Sequence, residues 1–240
     1  MLNFIVAELQ IEVIMNKLMI WDIDGTLIQN AQLGKTAWNK TFFELYGIKD
    51  GFENISMAGK LDTAIIKEAY DVHHLIGKNK DAFFDLYCSN LAEDVKNRNS
   101  LWAAPGILSL LKTLRTITCF YNSLGTGNIE RGARIKLSRD NINEYFAVGG
   151  FGDFERERWE LIENAITNSS KHFGIEFSKS DIFVIGDTPK DIECGKKLGV
   201  KSIGVATGQF SVEQLRDCAA DFVFQNLLDN EKFIEVINNV

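Results

Sequence analysis

Short, wholly apolar runs recur along this chain, and most stop abruptly at a polar turn. Leu18-Met19-Ile20-Trp21 ends at Asp22-Ile23-Asp24-Gly25-Thr26, which predicts a buried strand closed by a turn. From about 32 to 102 the spacing changes to that of helices. Ala37, Phe42, Phe43 and Tyr46 share a face, with Gly47 as a stop, and Ala64, Ile65, Ala69, then Phe83, Phe84, Leu86, Tyr87, then Leu91 to Val95 give further helical pieces. After Pro105-Gly106 a helix over 107–115 leads into strand-like Ile117 to Leu124, and Gly125-Thr126-Gly127-Asn128 turns into another helix. Phe146 to Gly150 reads as a short strand, Arg156 to His172 as a helix and Ile182 to Ile185 as a strand ending at Gly186-Asp187. A helix over Asp191 to Leu198 follows, then strands at Ser202 to Val205 and Phe222 to Phe224. Strands alternating with helices predict an α/β fold, a Rossmann-like parallel sheet with helices on both faces. The helical stretch interrupts that rhythm after the first strand, so it reads as an inserted all-helical cap domain over 32–102, with the core domain formed by 18–31 and 103–240.

Composition narrows the function more than the fold. The 240 residues are 45% hydrophobic and 25% charged, which excludes wholesale disorder. A net charge of −7 argues against nucleic acid as a partner, because a phosphate backbone needs a basic face. Cys88, Cys119, Cys194 and Cys218 form no Cys-x-x-Cys pair, and His73-His74 are adjacent rather than four apart, so neither a zinc site nor a disulfide framework is expected. A reducing cytoplasm fits this cysteine usage. Residues 1–17 form an N-terminal extension whose apolar positions are interrupted by Glu8 and Glu12. It has neither the charge order of a signal peptide nor the length of a membrane span, so no membrane partner is expected. Two readings stay open: an element packed on the domain, or an extension upstream of a functional start at Met15.

The chemistry gathers where strands end. Ligands of open α/β sheets collect at the carboxyl ends of strands. Here one strand ends in Asp22 and Asp24, another in Thr126, another in Asp187 followed by Asp191. Each acid alone could be a turn or helix-capping residue. Converging carboxylates repel one another, and an all-oxygen cluster suits Mg²⁺.

Asp22-Ile23-Asp24-Gly25-Thr26-Leu27 resembles the first motif of the haloacid dehalogenase-like hydrolases, Leu124-Gly125-Thr126-Gly127-Asn128 the second, and Gly186-Asp187-Thr188-Pro189-Lys190-Asp191 the fourth. The helical insert is similar to the cap of the phosphoglycolate phosphatase-like subgroup. The resemblance implies that Asp22 is the nucleophile that takes the phosphoryl group. It implies Mg²⁺ held by Asp22, Asp187 and the Asp24 carbonyl, with Asp191 as a further ligand or orienting group. It also implies that Thr126 binds the phosphoryl oxygens, helped by backbone N–H groups of the turn through Gly127 and Asn128. Asp24 would give a proton to the leaving oxygen and later take one from water, jobs that a second acid beside an ionised one suits. Dehalogenases of the superfamily lack that acid, so Asp24 points to a phosphatase.

The third motif departs from the commoner pattern, leaving Arg156 and Arg158 as candidate cations. Helical phase places Arg158 with Leu161 and Ile162 and favours it. In the cap, Met57-Ala58-Gly59-Lys60-Leu61-Asp62 resembles the substrate-facing loop of the subgroup, where Lys60 would meet a substrate anion; equally, Lys60 would be a solvated lysine before a helix capped by Asp62. Phe42, Phe43, Phe83 and Phe84 read as cap core. Gly34-Lys35-Thr36 is no phosphate loop, since its first glycine falls at Gln29, and Gly125-Thr126-Gly127 fails as a dinucleotide fingerprint at Glu130. The expected activity is hydrolysis of a small phosphorylated metabolite by a monomer or homodimer. A phosphosugar mutase of the same superfamily and a non-catalytic binding protein are the rivals.

Overall fold

The computed structural model describes residues 15–29, 31–97, 102–154 and 157–240, with only the backbone of Ala31 and Gln32. The N-terminal extension before Met15, and Arg156, lie outside the described residues. A six-stranded, wholly parallel sheet forms the centre, built from β1 (Lys17–Trp21), β2 (Phe120–Gly125), β3 (Gly149–Gly150), β4 (Ile182–Gly186), β5 (Lys201–Val205) and β6 (Phe222–Phe224). Its order is β3-β2-β1-β4-β5-β6, so the first strand is central. Leu18 pairs with Tyr121 on one side and Ile182 on the other.

The side-chain period of a strand explains the two faces. Leu18 and Ile20 point into one core with Leu161, Ile162, Val184 and Cys194, beneath α6 (Arg158–Phe173) and α7 (Pro189–Leu198). Met19 and Trp21 point the other way, toward α4 (Ile107–Thr116), α5 (Glu130–Ser138) and α9 (Asn230–Asn238), with Leu110, Leu111, Ala133 and Phe233. A strand buried on both faces must be apolar throughout, which is why its sequence shows a run rather than an alternation. Trp21 is fully buried, and its indole N–H donates to Asn122 Oδ1 at 2.9 Å, which satisfies a group that would otherwise be costly to bury.

Between β1 and α4 lie three helices, α1 (Ala31–Tyr46), α2 (Asp62–Val72) and α3 (Lys80–Asn97), the all-helical insert. The separate pieces expected between 83 and 95 are one helix. Trp38, Phe42, Phe52, Phe83 and Tyr87 pack ring on ring, with centroids 5.0 Å apart for Trp38–Phe52 and Trp38–Phe83. Phe42, Phe83 and Phe84 are buried, but Phe43 is 47% exposed, which corrects its assignment to the core. One residue on from Phe42 is 100° around the helix, and Phe43 instead lies under the Lys49 ammonium. The strand expected from 146 shrinks to two residues, and α8 (Val212–Asp217) and α9 are additional to the sequence reading. No helix among the described residues is long and apolar enough to cross a membrane.

Candidate active site

Because β1 is flanked by β2 and β4, the turns after all three open at one edge. The ladder continues one residue past β1, where Asp22 N–H donates to the Ile185 carbonyl at 2.9 Å. The chain then folds back, with the Ile23 carbonyl accepting from the N–H groups of Thr26, Leu27 and Ile28. The polar run after Trp21 is therefore a tight turn that holds Asp22 and Asp24 at the sheet edge.

Asp22, Asp187 and Asp191 each present a carboxylate oxygen within 4.8 Å of the others, and all three are buried. Space for Asp187 is made by glycine. A Cβ at Gly208 would lie 1.6 Å from its carboxylate and one at Gly25, which has φ +88°, 2.4 Å away. Arg158 lies across the cluster, donating to Asp22 Oδ1 at 2.8 Å and to Asp191 Oδ1 at 2.6 Å, and is itself buried. The arginine favoured by helical phase therefore lies against the carboxylate cluster. Burial works against the guanidinium charge, but Asp191 and Asp22 outweigh it and raise its proton affinity. Burial pushes the Asp22 carboxyl up, reinforced by Asp191 and Asp24 and opposed by Arg158; Asp187 is pushed up by burial and by Asp22 and Asp191.

Asp191 has two occupations. Its Oδ2 accepts from the backbone and hydroxyl of Thr188 at 3.1 and 2.8 Å, closing a capping box at the start of α7, while Oδ1 belongs to Arg158. Asp191 therefore belongs both to the capping box of α7 and to the carboxylate cluster.

Thr126 is fully buried, and its hydroxyl accepts from Asn128 Nδ2 at 2.8 Å. The backbone amides of this turn are less available than expected. Thr126 N–H donates to the Gly150 carbonyl and Asn128 N–H to Thr126 Oγ1, which leaves the amide of Gly127 as the one without a protein acceptor among the described residues.

The cap loop reaches this turn directly. Asp62 N–H donates to the Gly127 carbonyl at 2.8 Å, and Asp62 Oδ2 accepts from Ile129 N–H at 2.9 Å. Asp62 therefore does not cap its own helix, whose capping position is Leu61. Its carboxylate instead holds the N-terminal end of α5 of the core, and burial pushes its pKa up to about 7. Lys60 lines the cavity with Gly59 and Asp62, but its ammonium pairs with Glu68.

Lys136 is the residue that sequence reasoning missed. Its ammonium is buried and donates to both Asp24 oxygens at 2.8 and 2.6 Å and to Asn128 Oδ1 at 2.6 Å. Its phase was a usable signal, because Lys136 falls three residues after Ala133 and seven after Ile129, on the apolar face of α5. Cap and core together enclose a cavity of about 510 Å³, lined by Asp22, Asp24, Thr126 and Arg158 on one side and Trp38, Ile55, Met57 and Ile65 on the other.

A parallel sheet with acids at its central carboxyl edge, under a helical insert after the first strand, defines a Rossmann-like hydrolase core. The chain belongs to the haloacid dehalogenase-like hydrolase family, whose family model matches residues 19–205. It is 24% identical over 234 residues to PpaX of Clostridium perfringens, assigned provisionally as a pyrophosphatase; the match covers 94% of this chain and all of that one. Among solved structures, a predicted phosphoglycolate phosphatase from Haemophilus somnus superposes with a TM-score of 0.66 at 16% identity, over 91% of this chain and 98% of its own. A provisionally assigned β-phosphoglucomutase from Bacteroides vulgatus gives 0.65 at 19% identity, over 95% and 91%. At these identities the structures share the fold.

Proposed function

We propose that this protein is a Mg²⁺-dependent phosphatase that hydrolyses a small phosphorylated metabolite, with 18–31 and 103–240 as its catalytic core and 32–102 as the cap. The observation that carries the reading is buried Asp22, paired with Arg158 and clustered with the Asp187 carboxylate, two residues before a second acid, Asp24. Asp22 attacks phosphorus, forming a carboxylate O–P bond as the ester O–P bond breaks, and Asp24 gives its proton to the departing oxygen. Water then attacks the aspartyl-phosphate and its proton goes to Asp24. The O–P bond to Asp22 breaks, and inorganic phosphate leaves. Thr126, the Gly127 amide and Arg158 hold the phosphoryl oxygens.

The residues fit a divalent cation. Asp187 Oδ1 is buried with no hydrogen-bond partner, and burial disfavours ionised Asp22 and Asp187 even with the Arg158 guanidinium beside them, a penalty that a cation would relieve. Asp22, Asp187 and the Asp24 carbonyl would hold Mg²⁺, with Asp191, whose oxygens are engaged by Arg158 and Thr188, supporting it from outside. When bound it would neutralise charge between nucleophile and phosphoryl group.

The test is release of inorganic phosphate from a panel of phosphorylated metabolites, pyrophosphate included, by wild type and by Asp22→Asn. Phosphate release that Asp22→Asn abolishes supports the reading. An isomerised phosphosugar without phosphate release would replace it with a mutase, and no turnover across the panel by a folded protein would favour a binding role.

A further inference from the structure

We propose that Lys136 is a positioning residue for the second acid of the site, holding the Asp24 carboxyl group in the single orientation from which it serves both proton transfers. The proposal rests on the phosphatase reading above.

Lys136 makes little sense as packing. It comes from the last turn of α5, where Ala133 and Leu137 face the core, and it is as buried as its apolar neighbours. A buried ammonium is costly unless fully partnered, so a leucine or methionine would fill the same space at lower cost. What the lysine adds is a three-point clasp. Its Nζ bridges both oxygens of Asp24 and reaches Asn128 Oδ1. Asn128 is thereby oriented, and its Nδ2 donates to Asp24 Oδ2 at 2.7 Å and to Thr126 Oγ1. Asp24, Asn128 and Lys136 form a closed ring of hydrogen bonds, linked through Thr126 to the phosphoryl-binding turn. Both Asp24 oxygens and the carboxyl plane are fixed before any substrate arrives.

The cap supplies a roof for this clasp. A Cβ at Gly34 of α1 would lie 3.4 Å from the Lys136 ammonium, and both residues line the cavity. Asp24 itself is the open member, with 27% of its side chain exposed against 5% for Lys136. The ring thus supports the acid from behind and leaves it facing the cavity. An acid that must deliver a proton at one step and collect one at the next gains from a fixed position at both.

A positioning role leaves a signature that a merely structural one does not. Losing an aligned acid penalises esters whose leaving oxygen needs a proton and spares those whose leaving group departs as a stable anion. In kcat/KM measurements over a series from alkyl phosphates to 2,4-dinitrophenyl phosphate, Lys136→Met should lose about a hundredfold on the alkyl esters, the scale of one aligned proton transfer. On the dinitrophenyl ester it should lose less than about threefold. Asp24→Asn should show the same discrimination, and the double variant should be no worse than Asp24→Asn alone. Lys136→Arg, which keeps a cation able to grip both oxygens, should recover part of the loss. Equal losses of Lys136→Met on every leaving group, or losses that add in the double variant, would overturn the proposal. If Asp24→Asn itself showed no leaving-group dependence, the acid assignment would fall rather than the role of Lys136 alone. Should Lys136→Met fail to fold by circular dichroism, Lys136→Gln, which keeps a donor without the charge, carries the same comparison.

Discussion

On the sheet side of the cavity, Asp22, Arg158 and Asp191 are each less than a tenth exposed, and Arg158 ties the two acids together. On the cap side, buried Asp62 apart, the charged groups are exposed pairs, with Lys35 facing Glu53 and Lys60 facing Glu68, side chains between 29% and 69% exposed. The cap is held instead by its ring cluster, well away from water. The core wall spends desolvation on charges whose geometry cannot drift, because breaking one pair leaves another charge buried and unpaired. The cap wall keeps its charges on pairs worth about 0–1 kcal/mol, which a substrate can displace at little cost. On the proposed reading, the wall that does the chemistry holds interlocked buried charges, and the wall that meets the leaving group holds exposed ones.

The sharpest way to break this contrast is at the core. Asp22→Asn should lower turnover by on the order of a thousandfold or more while circular dichroism and melting stay native-like. Chelation should abolish turnover and added Mg²⁺ restore it, with Ca²⁺ a poor substitute because it takes more ligands in looser geometry. On the cap side, Phe83→Ala removes a fully buried ring from the cluster and should cost roughly 3–5 kcal/mol of stability, read by denaturant titration. Asp62 joins the walls, and its effect depends on pH. An acid with pKa about 7 when folded against 3.8 otherwise binds more protons in the folded chain, so stability falls as pH rises through that window and stays low above it. Asp62→Asn lacks that dependence. It should melt higher than wild type at pH 8, by on the order of 2–4 kcal/mol, and alike below pH 4. Lys60→Ala should have the smallest effect. It should weaken kcat/KM by roughly 1–3 kcal/mol for substrates carrying a second anion and leave p-nitrophenyl phosphate near the wild-type rate. Equal losses on both would move Lys60 into the phosphoryl chemistry.

The same contrast explains what could be read from the sequence. Asp22, Asp24, Thr126, Asp187 and Asp191 each follow an apolar run, so strand ends announced them once the strands were taken as neighbours. Arg158 was legible from helical phase. Lys136 carried the same signal and passed unnoticed, because a lysine in the last turn of a helix ordinarily faces water. Asp62 looked like the cap of its own helix; that it holds the start of α5, 67 residues later, depends on a docking that no local pattern encodes. Phe43 was misplaced because it lies 100° around α1 from Phe42, beyond that helix's buried face, whereas α3 buries both Phe83 and Phe84; α8 is a six-residue helix too short to show a period, while α9 carried a helical signal in Phe233 and Ile237 that was passed over. Cap and core are matched through long-range contacts, and periodicity reports only on neighbours.

The central place of β1 also bears on how the molecule comes to exist. The strand that leads into Asp22 is synthesised before the insert, yet it pairs with Phe120–Leu124 and Ile182–Ile185. Of its partners, β2 is synthesised only after the whole insert, and β4 only after β2 and β3. During that interval α1 to α3 can form from local contacts, while an apolar strand waits first with both edges and then, after β2, with one edge unsatisfied. Nascent chains halted between residues 125 and 182 should therefore depend on chaperones more than chains halted beyond 205, where β1 has both neighbours.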